Sequence, residues 1–141
     1  MPMITYKEDL IGVDWEEIKA KVAIDDFDNG RTPEQLKASF ENSFATCIAY
    51  EGEQIIGKAR ALSDQVCNAY IVDVWTYSPY RGRGIASQIL NLLMEKLRGQ
   101  HIYLFTDQHT VDFYKHLGFK EWGIGLGRVV GEWLKTEENK M

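Results

Sequence analysis

The chain has 141 residues, 45% of them hydrophobic and 26% charged, enough to close one hydrophobic core in a single domain spanning residues 1–141. A formal net charge of −5 excludes the broad basic footprint that nucleic acid requires. No apolar run approaches the roughly 20 residues of a membrane helix. The stretch from Met1 to Glu8 lacks the basic start and apolar centre of a signal peptide, so the expected setting is cytoplasmic. The acidic balance suits a cationic small molecule better than a nucleic acid or a membrane surface. Cys47 and Cys67 match no metal-ligand spacing and are read as buried, reduced thiols, so no metal is expected.

In chain order, Ile4-Thr5-Tyr6 reads as a short strand. Asp14 with Glu17 forms a variant capping box, and Trp15, Ile18 and Val22 recur at helical spacing, so a helix is expected near 14–24. A loop rich in acids follows, Asp25-Asp26-Phe27-Asp28-Asn29-Gly30-Arg31. Thr32-Pro33-Glu34-Gln35 then caps a second helix whose buried face is Leu36, Phe40 and Phe44. Thr46–Tyr50 and Gln54–Ala61 flank Glu51-Gly52-Glu53 as a β-hairpin. Ala69–Thr76 is a third long strand. In it, alternation puts Ile71, Asp73 and Trp75 on one face and Tyr70, Val72 and Val74 on the other.

After Pro79 the chain turns through Arg81-Gly82-Arg83-Gly84 and enters the most regular helix in the sequence. There Ile85, Ile89, Leu93 and Leu97 repeat at i+4, and Gly99 supplies a left-handed stop. Glycines at a helix start let backbone N–H groups approach a ligand closely, and the helix end carries unpaired donors and partial positive charge. That combination binds anions, phosphate above all. A Walker loop would end in Gly-Lys-Ser/Thr, which is absent, and a dinucleotide fingerprint would need glycine where Ser87 stands. Ile102–Phe105 follows as a strand parallel to the third. Thr110–Leu117 is a short helix ended by Gly118. Two further strands are expected near Phe119–Gly123 and Arg128–Trp133, ahead of a charged tail. Trp75, Trp122 and Trp133 are read chiefly as core.

Arg81-Gly82-Arg83-Gly84-Ile85-Ala86 resembles the Gln/Arg-x-x-Gly-x-Gly/Ala signature of the GNAT superfamily of acyl-coenzyme A dependent N-acyltransferases. The strand Asp73-Val74-Trp75-Thr76 and the segment Phe113-Tyr114-Lys115-His116-Leu117-Gly118-Phe119 resemble the family segments on either side of it. The resemblance implies an α+β fold with a mixed sheet of about six to seven strands flanked by about four helices. It implies acetyl-coenzyme A as co-substrate, with the amides of Arg81, Gly82, Arg83, Gly84, Ile85 and Ala86 on its diphosphate. Val74, Trp75 and Thr76 would pair with its pantetheine arm as an added strand would. Thr110 stands where many members carry an asparagine that touches the cofactor.

The resemblance also implies that Tyr114 protonates or hydrogen-bonds the leaving thiolate. Asp73 is the expected base, its carboxyl raised if it is buried beside Ile71 and Trp75, with a structural acceptor of backbone donors as the alternative. Asp26 and Phe27, in the loop that borders the acceptor site in this superfamily, are the expected substrate contacts. The implied reaction is acetyl transfer to a primary amine of a small molecule by direct attack in a ternary complex. A non-catalytic acetyl-coenzyme A sensor and a protein or peptide amine acetyltransferase are the alternatives. Members of this superfamily often dimerise, which leaves a homodimer open.

Overall fold

The computed structural model describes residues 3–128. Five strands form one sheet in chain order: β1 (Ile4–Lys7), β2 (Ala45–Glu51), β3 (Gln54–Ser63), β4 (Asn68–Thr76) and β5 (His101–Tyr103). The first four pair antiparallel, and β5 lies parallel to β4. Helices α1 (Trp15–Ile24) and α2 (Pro33–Glu41) precede β2. Helix α3 (Ile85–Glu95) joins β4 to β5, and α4 (Val111–His116) follows β5. The architecture is the expected mixed α+β fold with four helices, and its sheet has five strands rather than six to seven among the described residues. Phe119–Gly123 is irregular, with Gly123 at φ +74°, a conformation incompatible with an extended strand. Most of Arg128–Trp133, Trp133 included, lies outside the described residues.

Local signals explain the helix starts. Asp14 Oδ1 accepts from the Glu17 N–H at 3.0 Å. At α2 both halves of the capping box form: Thr32 Oγ1 accepts from the Gln35 N–H, and Gln35 Oε1 accepts from the Thr32 N–H. The second helix stops earlier than the apolar spacing suggests. Asn42 caps it, and Phe44, half exposed, already donates its N–H to Ala61 on the way into β2.

The sheet separates two apolar layers. On one face α3 presses Ile85, Ile89, Leu90 and Leu93 against Cys47, Ile56, Ala59, Ala61, Ala69 and Ile71. On the other, Trp15, Ile18 and Val22 of α1 and Leu36 and Phe40 of α2 pack on Ile48, Ile55 and Trp75. Cys47 is buried, and burial pushes its thiol up to about 12. Cys67 is exposed, contrary to expectation, because it sits in a turn before β4 where Asp64 Oδ1 accepts the N–H groups of Val66, Cys67 and Asn68. No helix of the described residues is long and apolar enough to cross a membrane.

A register shift in β4 decides which residues face which layer. Val72 pairs with Arg60 and Trp75 with Lys58, so Asp73 and Val74 together oppose the single Ala59. This bulge breaks the expected alternation. Ile71 and Val74 face α3, whereas Trp75 crosses to the α1–α2 face. Gly57 of β3 completes the arrangement, because a Cβ there would lie 3.0 Å from Ile89 Cδ1 and 3.2 Å from the Trp75 carbonyl oxygen. The first turns of α3 therefore rest directly on the strand backbone. Gly57→Val should lower stability by about 1–3 kcal/mol through overpacking against a carbonyl that cannot yield. Urea unfolding followed by circular dichroism measures it, and an unchanged midpoint would contradict the close approach.

Candidate functional site

Strands β4 and β5 pair at only three positions, ending at Tyr70 and Tyr103, where sequence spacing had extended β5 to Phe105. Past that point the strands part, leaving Val72–Thr76 with an open edge toward β5 among the described residues. Tyr70 and Phe105 stand edge to face across the parting, 5.9 Å between ring centroids. The cleft thus exposes the backbone donors and acceptors of β4, a template for an extended ligand.

The arginine–glycine turn lies at the far end of this open edge. Tyr77 donates its N–H to Ile56, a short 3-10 turn runs over Ser78–Tyr80, and Gly82 and Gly84 take φ +81° and +79°. A Cβ on either glycine would meet open space, so it is the left-handed backbone and not crowding that demands glycine. Gly84 is the N-cap of α3 and brings no capping side chain. The first amides of an eleven-residue helix are therefore left without an intrahelical partner, at its positive end. Arg81 and Arg83, each about half exposed, stand beside this hollow. Arg81 donates to the Thr76 carbonyl at 3.2 Å, and Arg83 lies over the Tyr80 ring, whose hydroxyl donates to Glu51. The turn, the helix end and both arginines fit a diphosphate.

Tyr114 of α4 is 9% exposed and sits edge-on to Phe113 and Phe119. Its hydroxyl has no hydrogen-bond partner among the described residues, and the residue borders a cavity of about 540 Å³ with Phe105, Thr106 and Trp122. Burial, assisted by Asp107, raises its pKa, so the phenol stays protonated and able to donate. Thr110 is exposed, and its hydroxyl is engaged by Asp107 and Thr106. Of the tryptophans, Trp75 is core and Trp122 is largely exposed.

The loop between α1 and α2 is more committed than its composition suggests. Asp25 is not free for a ligand: its Oδ2 accepts from Trp75 Nε1 and from the Ser78 N–H, both at 2.9 Å, and Arg81 lies 3.5 Å away. Burial works to raise this carboxyl, but the Ser78 and Trp75 hydrogen bonds outweigh it and the pKa falls. Asp28 pairs with Lys19. Asp26 is exposed, at φ +56°, and Phe27 is 46% exposed with its ring 5.4 Å from Lys58 Nζ.

Asp73 stands in the bulge at φ +62°, and here the structure corrects the sequence reading. Its neighbours are cations. Arg31 clamps both carboxylate oxygens at 2.7 and 3.2 Å, Arg60 Nε donates to Oδ2 at 2.6 Å, and Lys58 Nζ donates to its carbonyl at 2.9 Å. Burial alone would raise the carboxyl, but Lys58, Arg31 and Arg60 hold it well below the usual carboxylate range. A carboxylate so stabilised is a poor base. Sequence reasoning missed this cluster. Its signal was Lys58 and Arg60 at alternate positions in an otherwise apolar β3, which puts two cations on one buried face.

The chain matches the family described as "Acetyltransferase (GNAT) family" over residues 11–119. It is 38% identical over 96 residues to an uncharacterized N-acetyltransferase, ycf52, of Gracilaria tenuistipitata var. liui, covering 63% of this chain and 53% of that one. It is 38% identical over 100 residues to histone acetyltransferase TAP1 of Glycine max (61% and 43% covered). Against serotonin N-acetyltransferase 2, chloroplastic, of Oryza sativa subsp. japonica, identity is 30% over 96 residues (63% and 48% covered). The chain thus spans about half the length of these relatives. Among solved structures, a provisionally assigned acetyltransferase of Deinococcus radiodurans R1 superposes with a TM-score of 0.78 at 26% identity, covering 89% of this chain and 87% of that one. Glucosamine-6-phosphate N-acetyltransferase of Arabidopsis thaliana shares the fold, with a TM-score of 0.68 at 16% identity and 92% and 99% covered.

Lys58 gives the site a measurable signature. Burial drives its pKa from 10.5 down to about 8, with Asp73 opposing and Arg31 and Arg60 reinforcing the fall. Between those values the unfolded chain binds the proton and the folded chain releases it, so stability from this group rises with pH. Cys47 pulls the other way above pH 9, but does so equally in a Lys58→Met variant. The wild-type minus Lys58→Met stability difference, from urea titrations at pH 7.5, 8.5 and 9.5, should therefore shift toward wild type as pH rises. A flat difference would mean that Lys58 titrates normally.

Proposed function

Because the chain belongs to the GNAT acetyltransferase family, we propose that it transfers an acetyl group from acetyl-coenzyme A to a primary amine of a small molecule, by direct attack in a ternary complex. The observation that carries this reading is the open β4 edge running into the glycine turn and the uncapped α3 N-terminus, with Tyr114 bordering a cavity on the β5 side. The diphosphate of coenzyme A would lie on the amides from Arg81 to Ala86, with Arg81 and Arg83 as charged partners. Its pantetheine arm would run along Val74, Trp75 and Thr76. Thr110 would border it from the start of α4.

In this reading the amine nitrogen bonds to the thioester carbonyl carbon, the C–S bond breaks with the sulfur taking the Tyr114 proton, and the proton that the nitrogen sheds restores the Tyr114 phenol. Positioning supplies most of the rate, and strand amides polarise the carbonyl. Asp73 serves as the anchor of the cationic cluster and not as the base. The field of Lys58, Arg31 and Arg60 lowers the proton affinity of a nearby ammonium, so the amine is delivered neutral. Phe27 would pack on the acceptor, with Asp26 at the loop's outer edge. The setting we assign is cytoplasmic, and the rice relative's chloroplastic designation names the competing compartment.

The histone acetyltransferase relative favours a second reading, transfer to a protein lysine. A sensor that binds acetyl-coenzyme A without transfer is separated from both by thiol release across a panel of amines. Tyr114→Phe should cut turnover about a hundredfold while leaving coenzyme A affinity within twofold, because the ring still fills its place. Steady-state thiol release and calorimetry measure the two quantities. Unchanged turnover would remove the acid role.

A further inference from the structure

The cluster around Asp73 holds more positive than negative charge. Lys58, Arg31 and Arg60 share one carboxylate, and the four side chains range from 2% to 13% exposed. Buried charge without a counter-ion is costly, so such an excess calls for a partner. Nearby acids of the described residues are already engaged: Asp28 with Lys19, Asp25 with Trp75 and Ser78, Glu17 with Lys21 and the Ile55 N–H.

The donors are also unequally used. Arg31 is nearly saturated by Asp73, Ser39 and Asn29. Lys58 Nζ has one hydrogen bond among the described residues, to the Asp73 carbonyl, and its nearest carboxylate oxygen is 3.9 Å away. Two of its three N–H groups thus lack an acceptor, in a side chain 2% exposed. Arg60 spends Nε on Asp73 and Nη1 on Ser39 and Ser43, and Nη2 has no partner among the described residues. The half-exposed ring of Phe27 covers Lys58. Asp73 lies three residues beyond the last β4–β5 pair, beside the cleft.

Resting on the transferase reading above, we propose that the acceptor is an amine that also carries a carboxylate, and that Lys58 and Arg60 receive that carboxylate beneath Phe27 while the nitrogen faces the cleft. The carboxylate supplies the second negative charge and takes the unused N–H donors. Lysine side chains and polyamines bring only positive charge to this face and are poor acceptors. The whole-chain charge pointed to a cationic acceptor; the local charge overrules it, because contacts of 3–4 Å act well inside the roughly 8–10 Å screening length.

The test compares matched acceptors with the full chain and acetyl-coenzyme A: tyrosine against tyramine, lysine against cadaverine, and phosphoethanolamine against ethanolamine. In the first two pairs the carboxylate member should show kcat/KM at least tenfold higher, carried mainly by KM, and Lys58→Met and Arg60→Gln should each bring those pairs within twofold. A phosphate preference without a carboxylate preference would overturn the choice of anion. Equal or better turnover of tyramine and cadaverine, or a preference untouched by both variants, would overturn the proposal. Calorimetry with N-acetyltyrosine and N-acetyltyramine reads the same site without chemistry. Carboxylate-dependent binding with no thiol release from any pair would keep the site and remove the transferase reading, whereas release without preference would do the reverse.

Discussion

Between Val72 and Trp75, strand β4 fits two residues against the single Ala59 of β3, and the geometry of the site follows from that surplus. The extra residue forces Asp73 into the left-handed region, which costs a non-glycine residue about 1–2 kcal/mol. The cost is offset because both polar ends of the residue are claimed. Arg31 and Arg60 hold its carboxylate, and Lys58 holds its carbonyl. The bulge also carries Trp75 to the α1–α2 face, where its indole N–H finds Asp25. A strand of plain alternation would have left Asp73 facing the apolar α3 layer, where no cation meets it.

Asp25 then couples the two halves of the cleft. It ends α1, and its Oδ2 accepts from Trp75 on β4 and from Ser78 at the start of the turn that leads to Gly82 and Gly84. Arg81 is held by the same carboxylate. The loop bearing Phe27 and the turn bearing Gly82 and Gly84 are therefore fastened to a common point, and neither can shift without straining the other. Relative placement of two reactants to within a fraction of an ångström is what a positioning enzyme must secure.

The elements that sequence shows well are those set by local rules. The capping box at Thr32, the i+4 repeat from Ile85 and the glycines whose left-handed φ the turn requires are all short-range features, and each is present. What escaped is set by partners distant in sequence. Alternation along Ala69–Thr76 could not reveal a bulge, because the surplus residue exists only relative to β3. The raised carboxyl expected for Asp73 assumed Ile71 and Trp75 as companions, whereas its companions come from positions 31, 58 and 60. Asp25, Asp26 and Asp28 are indistinguishable by composition, yet one is a buried latch, one is exposed and one pairs with Lys19. The glycine turn was legible because its requirement is intrinsic to the backbone. The charge cluster was not, because its chemistry is a sum over three segments, the α1–α2 loop, β3 and β4.

That sum also explains how an acidic molecule can hold a cationic cluster. A net charge of −5 spread over the surface acts at long range, where salt screens it and where it draws cations inward weakly. Within the cluster, three cations outnumber one carboxylate at contact distance, in surroundings that screen poorly. A doubly cationic amine gains on approach and loses on arrival, and a simple anion does the opposite. A zwitterion, neutral overall, is indifferent to the outer field and, once inside, turns its negative end toward Lys58 and its nitrogen away. The inner positive field then favours loss of the proton from that nitrogen, so the charges that select the acceptor also leave it ready to attack.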